Sequence, residues 1–259
     1  RLGLSWRLLR RLTYPWATLH LVQTDVVGRW LRLHMGAKDQ LLLPNPVIWP
    51  LPTLKPKLDP NSWLAKVGVG VNDPVILAVG TKAHQKGFDR LVGWFQELAP
   101  QHPRLQLVIV GLAVGTYHGR DQQQDLCRLL ANDPLLRDRL HFPGPVGNLQ
   151  KWYERAQLFV LSSRYEGFPN VLLEAMASGC CCIASDCPQG PAELIQDSVN
   201  GRLIPETAST QLWVNTMDEL LRQPIRRQRL GAAAQAVRDR YDPERLSSSF
   251  IAAIDHLSP

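Results

Sequence analysis

No apolar run in this 259-residue chain approaches the ~18 residues that a membrane-spanning helix requires. The longest, from Leu105 to Gly115, is interrupted at once by Gln106. A secretory signal pattern is also lacking, and the first residue is Arg1 rather than Met, so we expect a cytoplasmic protein whose N-terminus is incomplete. Cysteine is both sparse and crowded. Three of the five, Cys180, Cys181 and Cys182, are consecutive, and neighbours in an extended segment point to opposite faces. That spacing suits neither a tetrahedral zinc site nor a disulfide framework. The three read instead as small apolar residues of a buried strand that continues into Ile183 and Ala184. No aspartate cluster suggests a divalent metal, no nucleic-acid motif is present, and there is neither an internal repeat nor a low-complexity tract. Six Phe, eight Trp and five Tyr in turn exclude a disordered chain.

Lys and Arg outnumber Asp and Glu by 29 to 23, a net charge of +6. Part of the excess is local. Arg1, Arg7, Arg10 and Arg11 alternate with Leu2, Leu4, Trp6, Leu8 and Leu9, the pattern of a basic amphipathic helix. Such a helix is a candidate for peripheral contact with an anionic membrane on its inner face; packing against another part of the protein explains it equally well.

From Val75 onward strand and helix signals alternate. Apolar runs at Val75–Val79, Leu105–Val110, Leu158–Leu161 and Cys181–Ala184, with shorter ones at Leu140–Phe142 and Arg202–Ile204, are separated by helical spacings. Those helices are predicted at Gly87–Leu98, Asp121–Ala131, Leu149–Ala156, Val171–Ser178 and Pro191–Gln196. Three more, at Thr210–Leu221, Ile225–Tyr241 and Pro243–Leu257, close the chain. Continuous apolar strands alternating with helices predict an α/β, doubly wound parallel sheet. Ligands of such sheets bind at the carboxyl ends of the strands. Before Val75, a strand at Thr18–Gln23, a helix at Val26–Leu33 and a strand at Gln40–Leu43 read as the tail of a second Rossmann-like domain. The prolines 44, 46, 50, 52, 56 and 60 then read as a linker. The expected division is 1–45, 46–73 for the hinge, 74–241 for the main domain, and 242–259 for a final helix returning to the first domain.

The most informative loop runs from Ser162 to Asn170. It follows a buried strand and opens a helix, with Pro169 placed for the first helical turn. A helix N-terminus offers unpaired N–H groups and partial positive charge, which suits phosphate, and Gly167 would let a ligand approach the backbone. Glu166 in the loop and Glu174, placed in the first turn, could each accept hydrogen bonds from a vicinal diol. Phosphate flanked by diol acceptors describes a nucleotide sugar. Spacing alone leaves room for chance: Glu174 also suits a helix start electrostatically, Asn170 suits a cap, and Glu166 could simply be solvated.

The run Glu166-Gly-Phe-Pro-Asn-Val-Leu-Leu-Glu174-Ala-Met-Ala-Ser-Gly179 resembles the donor-site signature of retaining GT-B glycosyltransferases of family 4, the group 1 glycosyl transferases. Val79 to Asp89, with Gly80 and Lys86, is similar to that family's glycine loop and phosphate lysine. Val110-Gly111, Phe142 to Val146, and Gly190 to Ile195 with Asn200-Gly201 follow in family order, and Pro44 to Val47 resembles the inter-domain hinge. The resemblance implies a GT-B fold, with the Rossmann-like donor domain and the tail of the acceptor domain present here. It implies transfer of a sugar, with retention, from a nucleoside diphosphate (UDP on family frequency) to the hydroxyl of a carbohydrate or lipid-linked acceptor, in polysaccharide or glycolipid assembly. Glu174 would hold the ribose, Glu166 the transferred sugar and Lys86 the diphosphate. Backbone from Gly167 through Phe168, Pro169 and Asn170 to Val171 would assist at the phosphates, and backbone near Val146 would meet the base. No metal or other cofactor is implied, and no nucleic-acid partner. One departure stands out: the family's arginine after the loop glycine is Thr81 here, followed by Lys82, a point charge rather than a bidentate fork. His20 and His34 receive no role. The rival readings are a nucleotide-sugar epimerase of the same fold and a nucleotide-binding or interaction module without catalysis.

Overall fold

The computed structural model describes residues 3–117 and 119–256. Arg1 and Leu2 of the basic start and Leu257 of the last expected helix lie outside the described residues. The chain divides into two compact units, Arg1–Val47 with Asp239–Pro259, and Ile48–Arg238.

The smaller unit holds helix α1 (Leu4–Thr13), strand β1 (His20–Val22), helix α2 (Asp25–Met35) and strand β2 (Gln40–Leu42). The two strands pair in parallel, His20 opposite Gln40. Thr24 caps α2 by accepting from the Val27 amide, and Gly36 ends it at φ +66°, the left-handed conformation that glycine adopts without strain. α1 carries its basic and apolar side chains without burying any of them.

The larger unit follows in chain order: α3 (Pro60–Lys66), β3 (Val75–Val79), α4 (Ala83–Lys86), α5 (Phe88–Leu98), β4 (Gln106–Val110), β5 (Thr116–Tyr117), β6 (Arg120–Asp121), α6 (Gln122–Leu129), α7 (Pro134–Arg137), β7 (Leu140–Gly144) and α8 (Leu149–Arg155). Then come β8 (Leu158–Leu161), α9 (Asn170–Ala177), β9 (Cys182–Asp186), α10 (Pro191–Leu194), β10 (Arg202–Pro205), α11 (Thr210–Arg222), α12 (Pro224–Ala234) and α13 (Val237–Arg240), of which only Val237 and Arg238 fall in this unit. The last helix, α14 (Pro243–Asp255), belongs to the smaller unit. Six strands form one sheet in the order β10-β9-β8-β3-β4-β7, every neighbouring pair parallel. This is the doubly wound α/β sheet the apolar runs predict. All of β3, β4 and β8 is buried, as expected for strands covered on both faces.

Strand alternation assigns the two faces. Leu158 and Val160 join a core with Phe88, Leu91, Phe95 and Trp213, where Trp94 of α5 stacks on Trp213 of α11 at 4.0 Å. Phe159, between them, points the other way and meets Tyr153 of α8 edge-on.

Several local expectations are corrected. β9 begins at Cys182, so Cys180 and Cys181 precede it, although all three thiols are buried. The helix expected from Ile225 to Tyr241 is two, α12 and α13. There Gly231 packs on the Gly179 carbonyl and Arg238 donates to the Ala177 carbonyl at 2.8 Å, so docking onto the end of α9 overrides good helix propensity. The proline-rich segment contains a helix, α3, with Asp59 capping the Ser62 amide at 2.8 Å. It is also sewn to the loop after β7: Leu54 donates to the Gly147 carbonyl (2.6 Å), Gly147 to the Pro56 carbonyl (2.7 Å), and Asn148 bonds Leu58 in both directions. From Ile48 on, it is part of the larger unit rather than a free tether.

Candidate active site

β3 and β8 lie side by side at the centre of the sheet, and the chain winds outward from them in opposite directions. Their carboxyl ends therefore flank the switch point, where an open α/β sheet leaves a crevice. The loop after β3 carries Gly80, Thr81 and Lys82 and leads into α4, whose last residue is Lys86. The loop after β8 carries Glu166, Gly167 and Phe168 and leads into α9.

The loops are brought together by missing side chains. Gly87 sits at φ +64°, and a Cβ there would collide with the Ser162 carbonyl. At Gly80 a Cβ would come within 2.7 Å of Lys86 Cγ, so the lysine stem lies across the glycine. Gly111, after β4 at φ +102°, packs as closely on the Gly80 carbonyl. Gly167 differs: nothing lies within 4 Å of where its Cβ would be, so open space adjoins that backbone.

Lys86 Nζ lies 2.8 Å from Glu166 Oε1, with only 15% and 5% of the two side chains exposed. Ser163 donates to the same oxygen at 2.5 Å. Oε2 accepts no hydrogen bond from the protein among the described residues, so that oxygen keeps its capacity to accept one. Arg90 of α5 braces the strand end, donating to the carbonyls of Ser162 (2.6 Å) and Ser163 (2.9 Å). Arg164 clamps Asp89 through both guanidinium nitrogens, at 2.7 and 2.6 Å. Ser163, Arg90 and Arg164 were not legible as functional positions, because each acts on a partner that no periodic pattern marks.

α9 begins at Asn170 with Pro169 as its cap residue, one position earlier than the expected start at Val171. Glu174 consequently stands in the second turn, not the first. Its Oε2 accepts from the Tyr153 hydroxyl at 3.1 Å. Burial pushes the Glu174 carboxyl above its usual range, against the opposing pull of that bond. A carboxylate so raised costs the fold stability once the pH climbs through its titration range, and costs nothing below it. Glu174→Gln should therefore raise Tm, by a margin that is absent in acid and widens toward neutral pH in calorimetric scans from pH 4 to 8. Near the same loop, burial first and Glu166 second push the Cys187 thiol up to about 12, which favours the protonated thiol at neutral pH.

The remaining predicted positions are more scattered. The Thr81 carbonyl accepts from Gln122 of α6 at 3.1 Å, and the same side chain accepts from the Ala83 amide at 2.7 Å. Lys82 lines a cavity of about 570 Å³ with His84, Tyr165 and Arg120, apart from the Lys86–Glu166 pair. Val146 follows β7 and is half-buried. Phe168 and Val171 flank the start of α9.

This architecture recurs in known proteins. Sucrose-phosphate synthase from Thermosynechococcus elongatus superposes with a TM-score of 0.78 at 23% identity, covering 98% of this chain and 62% of that one. Anabaena HepE, solved in complex with UDP, gives a TM-score of 0.81 at 20% identity, covering 96% and 67%. Both are likenesses of fold. In sequence, the D-inositol 3-phosphate glycosyltransferase of Frankia alni is 33% identical over 216 residues, 81% of this chain and 51% of that protein. The chain spans about half the length of the curated relatives it matches, 45% and 51% for two of them. Residues 61–237, which hold both loops, the six-stranded sheet and the Lys86, Glu166 and Glu174 side chains, match the glycosyl transferases group 1 family, and the chain belongs to it.

Proposed function

We propose that this chain binds a UDP-sugar and transfers the sugar, with retention, to a hydroxyl of a carbohydrate or lipid-linked acceptor in glycan assembly. The observation that carries this reading is the Lys86–Glu166 pair at the mouth of α9, beside the sheet's switch point. Departure of a diphosphate puts charge on its oxygens; the Lys86 ammonium and the N–H groups opening α9 offer preorganised stabilisation of it. The positive charge developing on the sugar faces Glu166, whose Oε2 orients a sugar hydroxyl. Glu174 accepts from the ribose, and backbone near Val146 meets the base. Retention follows if the acceptor attacks on the face the diphosphate leaves, with Glu166 as orienting group rather than nucleophile. With Lys86 and the helix terminus compensating the leaving group, no step calls on a metal. UDP is favoured over GDP by its presence in the solved HepE complex.

The test is calorimetric titration of UDP, then GDP, into the chain and into its Glu174→Ala variant. UDP should bind saturably and weaken about 10- to 100-fold in the variant, the loss expected for hydrogen bonds to a charged acceptor. Equal UDP affinity in both proteins removes Glu174 from the nucleotide site and the reading with it.

A further inference from the structure

The ring of Tyr153 is wholly buried, lodged edge-on against Phe159 with 5.5 Å between centroids. Its hydroxyl makes one hydrogen bond among the described residues, to Glu174 Oε2. A phenylalanine would fill the same space with no polar atom to satisfy, so packing alone does not call for the oxygen. The acceptor is a carboxylate, and a bond to an ionised group is among the stronger kinds. Donor and acceptor stand on different helices, α8 and α9, each fixed by the core. The terminal torsion of a glutamate is otherwise broad. Holding one oxygen selects one rotation and turns the other oxygen away from α8.

We infer that Tyr153 is a positioning residue for nucleotide recognition: by holding Oε2 of Glu174 it presents Oε1 to the ribose diol and sets the preference for ribonucleotide over deoxyribonucleotide. The inference rests on the reading of Glu174 as the ribose acceptor and is tested so that the two fail separately.

UDP and 2′-deoxy-UDP are titrated into the wild-type chain, Tyr153→Phe, Glu174→Ala and the double variant, from pH 5 to 8. In Tyr153→Phe, UDP should weaken about tenfold and 2′-deoxy-UDP far less, so the ratio between them contracts. The acid limb of UDP binding should also move to higher pH, because the lost bond favoured the ionised carboxylate. In the Glu174→Ala background the same substitution should be silent, as it must be if Tyr153 acts only through Glu174. Wild-type affinity, ratio and pH profile in Tyr153→Phe would overturn the inference and leave the ribose assignment standing, provided Glu174→Ala still loses UDP. Equal weakening of both nucleotides, persisting in the Glu174→Ala background, would also overturn it, since that marks a general packing effect. Wild-type UDP binding by Glu174→Ala removes the underlying assignment instead.

Discussion

On the proposed function, Lys86→Met should cut turnover of the nucleotide-sugar donor roughly a thousandfold, the upper range for removing one preorganised stabiliser of developing negative charge. Methionine keeps an unbranched stem to lie across Gly80 and deletes only the cation. The substitution also strands Glu166, whose side chain is 5% exposed and would retain Ser163 as its one donor among the described residues. Breaking a buried pair on one side destabilises, so Tm should fall as well. The two consequences separate in Lys86→Met/Glu166→Gln, which removes both charges. Tm should recover in the double variant, and turnover should not. If activity recovers with stability, the pair is a structural ion bridge and the leaving-group role of Lys86 is lost.

Gly87→Ala should be the most damaging single methyl in the larger unit. The residue ends α4 and starts α5 in the left-handed conformation, which costs an L-residue about 1–2 kcal/mol. The added Cβ would also drive into the Ser162 carbonyl, an oxygen already held by Arg90. Only by parting the two loops can the collision be relieved. A loss of about 3 kcal/mol and a Tm drop of roughly 10 °C are expected in calorimetry, together with loss of the proposed UDP binding. Gly93→Ala is the internal control. It lies inside α5 with nothing within 4 Å of the added atom, so it should be neutral or stabilise by about 0.5–1 kcal/mol. Similar Tm values for the two variants would show that the loops are not locked at Gly87.

What the sequence made legible was the part written in local pattern. Val75–Val79 and Leu158–Leu161 announce buried parallel strands, and the glycine or serine that stops each run marks the crevice. The motif between Glu166 and Glu174 points at the same place. Less legible was whatever depends on two distant segments meeting. Nothing in the spacing of Tyr153 and Glu174, or of Arg90 and Ser162, signals that they touch. Helix α3 hid among prolines because a proline in a first turn and a proline in a tether look alike. The interruption between α12 and α13 was invisible for the opposite reason: Ala232 to Ala236 favours continuing the helix, and only the contacts of Gly231 and Arg238 with the end of α9 stop it.

The strand order also dictates when the site can come into being. β3 pairs with β4 as soon as Leu107 is available to Ile76, but its other edge waits for Leu158, 82 positions after Ile76. During synthesis from the N-terminus, a wholly apolar strand therefore stands with one flank unsatisfied while α6, α7, β7 and α8 are made. Pairing across such separations is slow and leaves an edge open to wrong partners. The late closure of β8 onto β3 is also the event that sets Ser162 against Gly87 and Glu166 against Lys86. The growing chain thus acquires its chemistry in the same step that hides its stickiest edge.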